Sequence, residues 1–380
     1  MTAPIIIIGS GLAGWTTVRE LRKLDPSTPV TLITLDSGDF YAKPSLSNAL
    51  QQGRTPAQLI STDAEKMAQT HQVNLLAHTR VLSIDPATQS IQTTQGEFNY
   101  SQLVLATGAQ SIRVPLQGDA AEQVLSVNSL DDYARFHTRL VEQQGATKHV
   151  LIMGAGLIGC EFANDLIASG YQVTVVDPAA GPIAALLAPP VSTQLQDRLG
   201  ALGVAWRFGA TVQSVNSIDS RYHAKLSDGQ TIAADIVLSA IGLRPDTSVA
   251  KAAGLVCERG IVVDTFLQTS AQHVYALGDG TQYGGRGMPY VMPIMHAAKA
   301  LGATLAGTPT EVNFPVMPVA IKTPALPIVL APPPPGVPGT WHGTEADLWE
   351  YLDAQSQLQG FILVAKQVAR RTELVKRIAT

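Results

Sequence analysis

The chain has 380 residues and only two cysteines, Cys160 and Cys257, which lie far apart in sequence. This spacing excludes a Cys-x-x-Cys redox pair and any cysteine-rich metal site, so we predict that the protein holds no metal. Cys160 stands at the start of a predicted helix, directly after a glycine. A small buried packing residue is the expected role of a cysteine at such a position.

Charge and long apolar runs are also scarce. Charged residues make up 15% of the chain, and the formal net charge of -4 leaves no basic surface of the kind that binds nucleic acid. Charges, glycines and prolines interrupt every apolar stretch before it reaches the length of a membrane span. Residues 1–4 leave no room for a signal segment before the first predicted strand. We therefore expect a cytoplasmic protein without membrane insertion or nucleic-acid binding.

Glycine, by contrast, is abundant, with 32 residues, and it forms two fingerprints of the same kind. The first is Gly9-Ser10-Gly11-Leu12-Ala13-Gly14, and the second is Gly154-Ala155-Gly156-Leu157-Ile158-Gly159. Each follows a short apolar run, residues 5–8 or 149–153, that is typical of a buried parallel strand. In such a motif the first glycine allows a tight turn, the second lets the backbone approach a pyrophosphate, and the third lets the following helix pack closely on the strand. The chain is therefore predicted to bind two dinucleotides.

A second strand ending in a carboxylate follows each fingerprint. Residues 30–35 lead into Asp36, and residues 173–176 lead into Asp177. A carboxylate at this place is suited to accept a hydrogen bond from a ribose 2'-hydroxyl. No arginine in residues 178–184 could neutralise Asp177 beside a 2'-phosphate, so the second site is predicted to prefer NADH to NADPH.

The order of these motifs predicts one domain inserted in another. A nucleotide-binding domain of residues 114–242, entered through a helix over 131–144, interrupts a domain formed by residues 1–113 and 243–312. Residues 313–380 form a small α+β C-terminal domain. The predicted fold class is therefore α/β, with two Rossmann-like dinucleotide-binding domains and a third, smaller domain.

These motifs together resemble the two-dinucleotide flavoprotein reductases of the glutathione-reductase fold. The resemblance rests on both fingerprints with their aspartates, the turn Ala106-Thr107-Gly108, and Ala276-Leu277-Gly278-Asp279. Within this family the chain is most similar to bacterial rubredoxin reductases. The more specific matches are Lys43-Pro44 with Leu46-Ser47, Thr79-Arg80-Val81, residues 156–165, Tyr290-Val291-Met292-Pro293 and Lys322-Thr323-Pro324.

The resemblance implies non-covalent FAD at the first site and NADH at the second. It implies that Asp36 binds the adenosine ribose of FAD and that Asp279 binds the ribityl-pyrophosphate region. The other implied FAD contacts are Gly9, Ser10, Gly11, Leu12, Ala13, Gly14, Leu35, Lys43, Val81, Thr107, Gly108, Gly278, Val291 and Lys322. The implied contacts of NADH are Gly154, Gly156, Gly159 and Asp177.

Two residues are implied to act in the reaction. Lys43 matches a lysine that contacts the flavin, and Glu161 matches a carboxylate beside flavin and nicotinamide that can pair with Lys43. Val81 is implied to contact adenine through its backbone, and Val291 and Lys322 to contact the flavin ring.

A missing cysteine bears on the reaction class. Disulfide reductases of this architecture carry cysteines beside the flavin, whereas residues 40–47 of this chain contain none. Electrons are therefore expected to leave from the flavin itself, and a flavin can release them singly to a one-electron iron acceptor. The resemblance implies that this acceptor is rubredoxin, in an electron chain such as that for alkane hydroxylation.

Two alternatives stay open at this point. One is a ferredoxin reductase of an oxygenase system, and the other is a slowly turning-over flavoprotein that senses redox state. The short C-terminal domain favours rubredoxin as the acceptor and a monomeric protein. Its basic end, with Arg370, Arg371, Lys376 and Arg377, is a candidate docking patch for a small acidic rubredoxin.

Overall fold

The structure, a computed structural model, describes residues 3–142 and 148–379. The predicted helix end at Gln144 and the predicted domain limits Met1 and Thr380 lie outside the described residues. Contacts divide the chain into two compact units. The first comprises Met1–Ala42, Ile60–Gln110 and Leu243–Phe314, and the second comprises Lys43–Leu59, Ser111–Gly242 and Pro315–Thr380.

The first unit is built around a parallel sheet of five strands. In spatial order they are Val274–Ala276, Gln102–Leu105, Ile5–Ile8, Val30–Ile33 and Val73–Leu76. All four isoleucines of the central strand are buried, because both faces of a parallel sheet are covered. The helices of this unit are Leu12–Arg22, Ala64–His71, Ser248–Ala252 and Val291–Leu305.

Short strands complete the first unit. They are Phe40–Tyr41 with Ile60–Thr62, the antiparallel sheet of Val81–Asp85, Ser90–Thr93 and Gly96–Asn99, the sheet of Ile261–Val263, Thr281–Tyr283 and Arg286–Gly287, and Leu243–Pro245. The strand Ala109–Ser111 lies where the chain passes from the first unit into the second.

The second unit repeats the parallel architecture. Its five parallel strands are, in spatial order, Leu125–Ser126, Ile236–Ser239, His149–Met153, Gln172–Asp177 and Ala205–Phe208. An antiparallel sheet of Val212–Ile218, Arg221–Leu226 and Thr231–Ala234 accompanies it. The helices are Pro56–Leu59, Leu130–Val141, Leu157–Ala168, Pro189–Ala201 and Arg371–Ala379, and the 3-10 helices are Lys43–Asn48, Ala121–Gln123 and Ala365–Arg370.

The C-terminal part of the second unit is an antiparallel sheet with a terminal helix. Its strands are, in spatial order, Val319–Ile321, Ile328–Ala331, Leu358–Val364, Leu348–Asp353 and Gly339–Glu345. Leu374 of the terminal helix packs with Phe361 and Leu363 of the sheet. Two parallel-sheet halves and a small α+β part confirm the predicted α/β fold class.

The predicted domain limits stay predictions, and contacts group the chain differently at two places. Residues 43–59 and 315–380 both belong to the unit that contains the second glycine fingerprint. The reason is local: both segments are hydrogen-bonded to the helix Leu157–Ala168, as described below. Among the described residues, no helix combines the length and the apolar character needed to cross a membrane.

Candidate functional site

The first glycine turn, Gly9–Gly14, has little room at its ends and open space at its middle. A Cβ atom on Gly9, whose φ is +110°, would lie 2.2 Å from the carbonyl oxygen of Ala106. A Cβ atom on Gly14 would lie 1.9 Å from the carbonyl oxygen of Gly9. At Gly11, in contrast, it would meet no atom within 4 Å. This pattern fits a dinucleotide, because close packing shapes the turn and the open middle lets a pyrophosphate approach the backbone.

Asp36 follows the second strand of the same sheet and is held by three donors on one oxygen. Its Oδ1 accepts hydrogen bonds from Thr34 Oγ1 at 2.6 Å, from Ser10 Oγ at 2.9 Å and from the Gly38 backbone N–H at 3.0 Å. The two hydroxyls also contact each other at 2.9 Å. The side chain of Ser10 thus ties the glycine turn to the carboxylate predicted to bind ribose.

Other predicted FAD contacts of the first unit gather around this turn. A Cβ atom on Gly278 would lie 3.0 Å from the Ala13 methyl group, and one on Gly280 would lie 3.0 Å from the carbonyl oxygen of Gly108. The segment that carries Asp279 therefore packs against the start of the helix Leu12–Arg22 and against the turn Ala106–Gly108. Thr107 donates its hydroxyl hydrogen bond to the backbone oxygen of Asp246 at 3.0 Å.

The remaining predicted contacts lie at the ends of elements. Val81 begins a strand, Val291 begins a helix and is 40% exposed, and Leu35 lies between Thr34 and Asp36 and is 58% exposed. Leu12 begins the helix that follows the glycine turn. These positions are compatible with ligand contacts, and their roles stay predictions.

The second glycine turn, Gly154–Gly159, repeats the pattern in the second unit. Cβ atoms on Gly154 and Gly159 would lie 2.6 Å from the Ala240 oxygen and 2.0 Å from the Gly154 oxygen, whereas Gly156 again faces open space. Asp177 is held here by backbone donors. Its Oδ2 accepts from the Ala155 N–H at 2.6 Å, and its Oδ1 accepts from the Ala179 N–H at 2.7 Å. The turn fits a second dinucleotide for the same physical reason as the first.

A buried polar cluster lies at the helix that starts from the second turn. We call Ser47, Glu161 and Lys322 the Glu161 cluster. Glu161 is 4% exposed, and its Oε2 accepts from Ser47 Oγ at 2.5 Å and forms an ion pair with Lys322 Nζ. Its Oε1 accepts from the Lys322 backbone N–H at 3.0 Å, and Lys322 Nζ donates to Ser47 Oγ at 3.1 Å. A buried carboxylate is thus compensated by one cation and two further donors.

The next turn of this helix accepts hydrogen bonds from the backbones of the two segments that carry Ser47 and Lys322. Asp165 accepts hydrogen bonds from the backbone N–H groups of Gln51 and Leu50, at 2.9 and 3.0 Å. Asn164 Oδ1 accepts from the Ala325 N–H at 3.1 Å. Burial raises the pKa of Asp165 to about 6, and the N–H donors of Gln51 and Leu50 partly oppose that rise. The helix therefore positions the chain around Ser47 and Lys322.

The structure assigns Glu161 a lysine partner that sequence reasoning did not identify. The ion pair described at Glu161 is with Lys322, and the implied pairing with Lys43 stays a prediction. Lys43 begins the 3-10 helix Lys43–Asn48 and is half-buried. Sequence reasoning also missed Ser47 and Asp165 as site residues. A signal was present, because Glu161 and Asp165 are the two charged residues of the helix and are spaced one turn apart, with Asn164 beside Asp165.

The described residues contain neither a candidate metal site nor a reactive thiol near these turns. Within residues 3–142 and 148–379 no group of three or more His, Cys, Asp or Glu side chains could hold a metal ion. Cys160 is fully buried, its thiol contacts the Ala155 carbonyl oxygen at 3.3 Å, and burial raises its pKa. It is a packing residue, as predicted, because a buried thiol with a raised pKa is inert.

Comparisons with known proteins agree with this geometry. The family described as pyridine nucleotide-disulphide oxidoreductase matches residues 3–302, and the rubredoxin binding C-terminal domain matches residues 311–378. A rubredoxin-NAD(+) reductase of Acinetobacter baylyi is 42% identical, with 98% of each chain covered. A nitric oxide reductase FlRd-NAD(+) reductase of Aeromonas salmonicida is 41% identical, with 98% of this chain and 96% of the relative covered.

Solved structures share the fold. The ferredoxin reductase for the CYP199A2 system from Rhodopseudomonas palustris superposes with a TM-score of 0.87 at 27% identity, over 98% of this chain and 93% of that chain. The putidaredoxin reductase in its covalent complex with putidaredoxin superposes with a TM-score of 0.89 at 24% identity, over 99% of this chain and 93% of that chain.

Proposed function

This chain belongs to the pyridine nucleotide-disulphide oxidoreductase family, and we propose that it is an NADH-dependent flavoprotein reductase that passes electrons through FAD to rubredoxin, one at a time. One observation carries the proposal: residues 311–378, which match a rubredoxin binding domain, continue a chain that contains two dinucleotide-binding turns. The near full-length similarity to a rubredoxin-NAD(+) reductase supports it.

The two glycine turns divide the binding between two cofactors. The first turn and Asp36 would hold the ADP half of FAD, with the N-terminus of the helix Leu12–Arg22 stabilising its pyrophosphate. The second turn and Asp177 hold NADH. Bound FAD supplies the redox chemistry, since a flavin accepts a hydride and returns electrons singly. Asp177 accepts a hydrogen bond from a ribose 2'-hydroxyl and repels a 2'-phosphate.

The Glu161 cluster holds an ammonium group in a fixed position. Lys322, an implied contact of the flavin ring, is held by both Glu161 and Ser47, so its ammonium group keeps one position. An ammonium group that is already held in place would face the negative charge of a reduced flavin without reorganisation at the moment of reaction, while Glu161 balances its net charge. Hydride transfer needs no general acid or base, and no histidine is assigned a role.

The 3-10 helix Lys43–Asn48 supports direct exit of electrons from the flavin. It contains Ser45 and Ser47 and no cysteine. The chain therefore offers no thiol at this place to carry electrons between NADH and the acceptor. A one-electron iron protein is the acceptor class that this arrangement suits.

The basic end of the chain offers fewer cations for docking than its sequence indicates, because two of them are ion-paired. Arg370 donates to Glu345 and Glu373, and Arg377 forms an ion pair with Glu350. Arg371 and Lys376 are exposed, and no ion pair is described for either in the parts of the chain that the structure covers. We assign rubredoxin docking to these two cations, which would steer an acidic partner.

An acceptor panel tests the proposed function. Purified protein with FAD and NADH is assayed with rubredoxin, a [2Fe-2S] ferredoxin, an FlRd protein and cytochrome c. We expect rubredoxin to give the highest kcat/KM, and the rate to fall as salt is raised through about 0.5 M, because screening shortens the reach of charge attraction. Faster reduction of ferredoxin would contradict the proposal, and slow reduction of every acceptor would favour a redox sensor.

The wider setting belongs to the same proposal. We propose a cytoplasmic location and, because the C-terminal domain is short, a monomeric state, and we take the place in alkane hydroxylation from what the family resemblance implies. Relatives named nitric oxide reductase FlRd-NAD(+) reductase make FlRd the alternative acceptor in the panel. A higher kcat/KM with FlRd than with rubredoxin would make FlRd the acceptor of this chain.

A further inference from the structure

The two carboxylates that are predicted to bind ribose, Asp36 and Asp177, have different hydrogen-bond donors. At the first turn the residue between the first two glycines is Ser10, and the residue two before the aspartate is Thr34. At the second turn the corresponding residues are Ala155 and Val175. Both hydroxyls of the first site bond Asp36, whereas the second site has an alkyl group at each place.

The hydroxyls leave Asp36 with one saturated and one open oxygen. Oδ1 accepts three hydrogen bonds, from Thr34, Ser10 and Gly38. Oδ2 has no hydrogen-bond partner among the described residues. Thr34 and Ser10 are 6% and 4% exposed, so water does not compete with these bonds. The carboxylate is therefore fixed before any ligand arrives, with Oδ2 available as an acceptor.

Asp177 is held in another way. Each of its oxygens already accepts one backbone N–H, from Ala155 or from Ala179. One of these donors belongs to the glycine turn itself. A ligand hydroxyl at this site must share an oxygen that is already bonded, and no side-chain hydroxyl reinforces the carboxylate.

We infer that Thr34 and Ser10 are positioning residues that pre-organise Asp36 and thereby make the first turn a site for a retained cofactor. The second turn lacks these two hydroxyl groups. This inference rests on the proposed function, in which FAD stays bound while NADH exchanges at each turnover. Ordering the acceptor during folding rather than during binding strengthens affinity, because less freedom is lost when the ligand binds.

The experiment measures FAD affinity, without any acceptor protein. Apo-protein is titrated with FAD and with an FAD analogue that lacks the 2'-hydroxyl of the adenosine ribose, and flavin fluorescence reports binding. The variants are Thr34→Val and Ser10→Ala. The matched control is Thr31→Val, a buried threonine on the same strand whose Oγ1 is bonded by Asn74 at 3.4 Å, away from Asp36.

We expect Thr34→Val to raise the Kd for FAD about tenfold and Ser10→Ala to raise it about threefold, since each removes a hydrogen bond to a charged group. The Kd for the 2'-deoxy analogue should change less than threefold, so the preference for FAD over the analogue shrinks. Thr31→Val should leave both constants as in the wild type.

Two outcomes would overturn the inference. One is an unchanged Kd for FAD in both variants. The other is an equal loss for FAD and for the 2'-deoxy analogue, which shows a general structural role. Wild-type protein that binds no FAD would contradict this inference and the proposed function together. If the Kd for FAD changes as expected in the variants but the wild-type protein fails to reduce rubredoxin, the inference is upheld and only the proposed acceptor is contradicted.

Discussion

Two ion-pair networks of three residues each, both among the described residues of the second unit, differ in burial. In the Glu161 cluster, Lys322 and Ser47 meet a carboxylate that is 4% exposed. At the C-terminal helix, Arg370 bridges Glu345 and Glu373 on the surface. In the first network water cannot replace a lost partner, whereas in the second it can. The two networks are therefore expected to differ in their contribution to stability, and the comparison can be tested by removing one member at a time.

Lys322→Met should have the largest effect, because it leaves the buried Glu161 carboxylate without its cation. We expect a loss of about 2 to 4 kcal/mol in the free energy of unfolding, measured by urea denaturation. The double variant with Glu161→Gln is the control, since it removes the uncompensated charge. A double variant as unstable as Lys322→Met would show that the charge is not the cause.

Asp165, on the same helix, should make stability depend on pH. Its pKa is raised by burial to about 6, above the usual value of 3.8, so the folded state favours the protonated carboxyl. The resulting stability is fully present below about pH 4 and is lost as pH rises through about 6, and it amounts to about 3 kcal/mol.

The control for this pH dependence is Asp165→Asn, which cannot ionise. The stability of wild type relative to Asp165→Asn should fall between pH 4 and pH 7, as measured by urea denaturation at each pH. A difference that stays constant over this range, or rises with pH, would contradict the assignment.

Ser47→Ala should have a smaller effect, because Glu161 keeps its cation and one backbone donor. The loss of one hydrogen bond to a charged group predicts about 1 to 2 kcal/mol of destabilisation in the same denaturation assay. Ser45→Ala in the same 3-10 helix is the matched control, and it should be near neutral. Equal losses in the two variants would mean that the helix, rather than the Ser47 bond, is being perturbed.

Arg370→Ala should have the smallest effect. Hydrogen bonds to Glu373 and Glu345 raise the pKa of Arg370, but both carboxylates lie in water. We expect a melting temperature within error of wild type, because exposed ion pairs contribute little. A clear drop in melting temperature would show that the exposed Arg370 network stabilises the protein as the buried Glu161 cluster does, which would contradict the comparison.

The local parts of the sites could be predicted from the sequence. Each glycine turn and its aspartate lie within about thirty residues in one strand–turn–helix–strand unit, so their spacing alone predicts that they meet at one edge of a parallel sheet. The structure confirms the two parallel sheets, and Ser10 joins the first turn to Asp36. The absence of cysteine in residues 40–47 likewise needed no structure to be recognised.

Only the tertiary structure decided which distant side chains pair. Glu161 and Lys322 are 161 residues apart, and Ser47 is 114 residues from Glu161. The resemblance implied Lys43 as the partner of Glu161, and the described ion pair is with Lys322 because residues 322–325 lie against the helix Leu157–Ala168. The basic end shows the same limit: Glu345 and Glu350 neutralise Arg370 and Arg377 from strands of the C-terminal sheet. Strand and turn patterns arise from local sterics and burial, whereas the choice of a partner depends on packing between segments far apart in the chain.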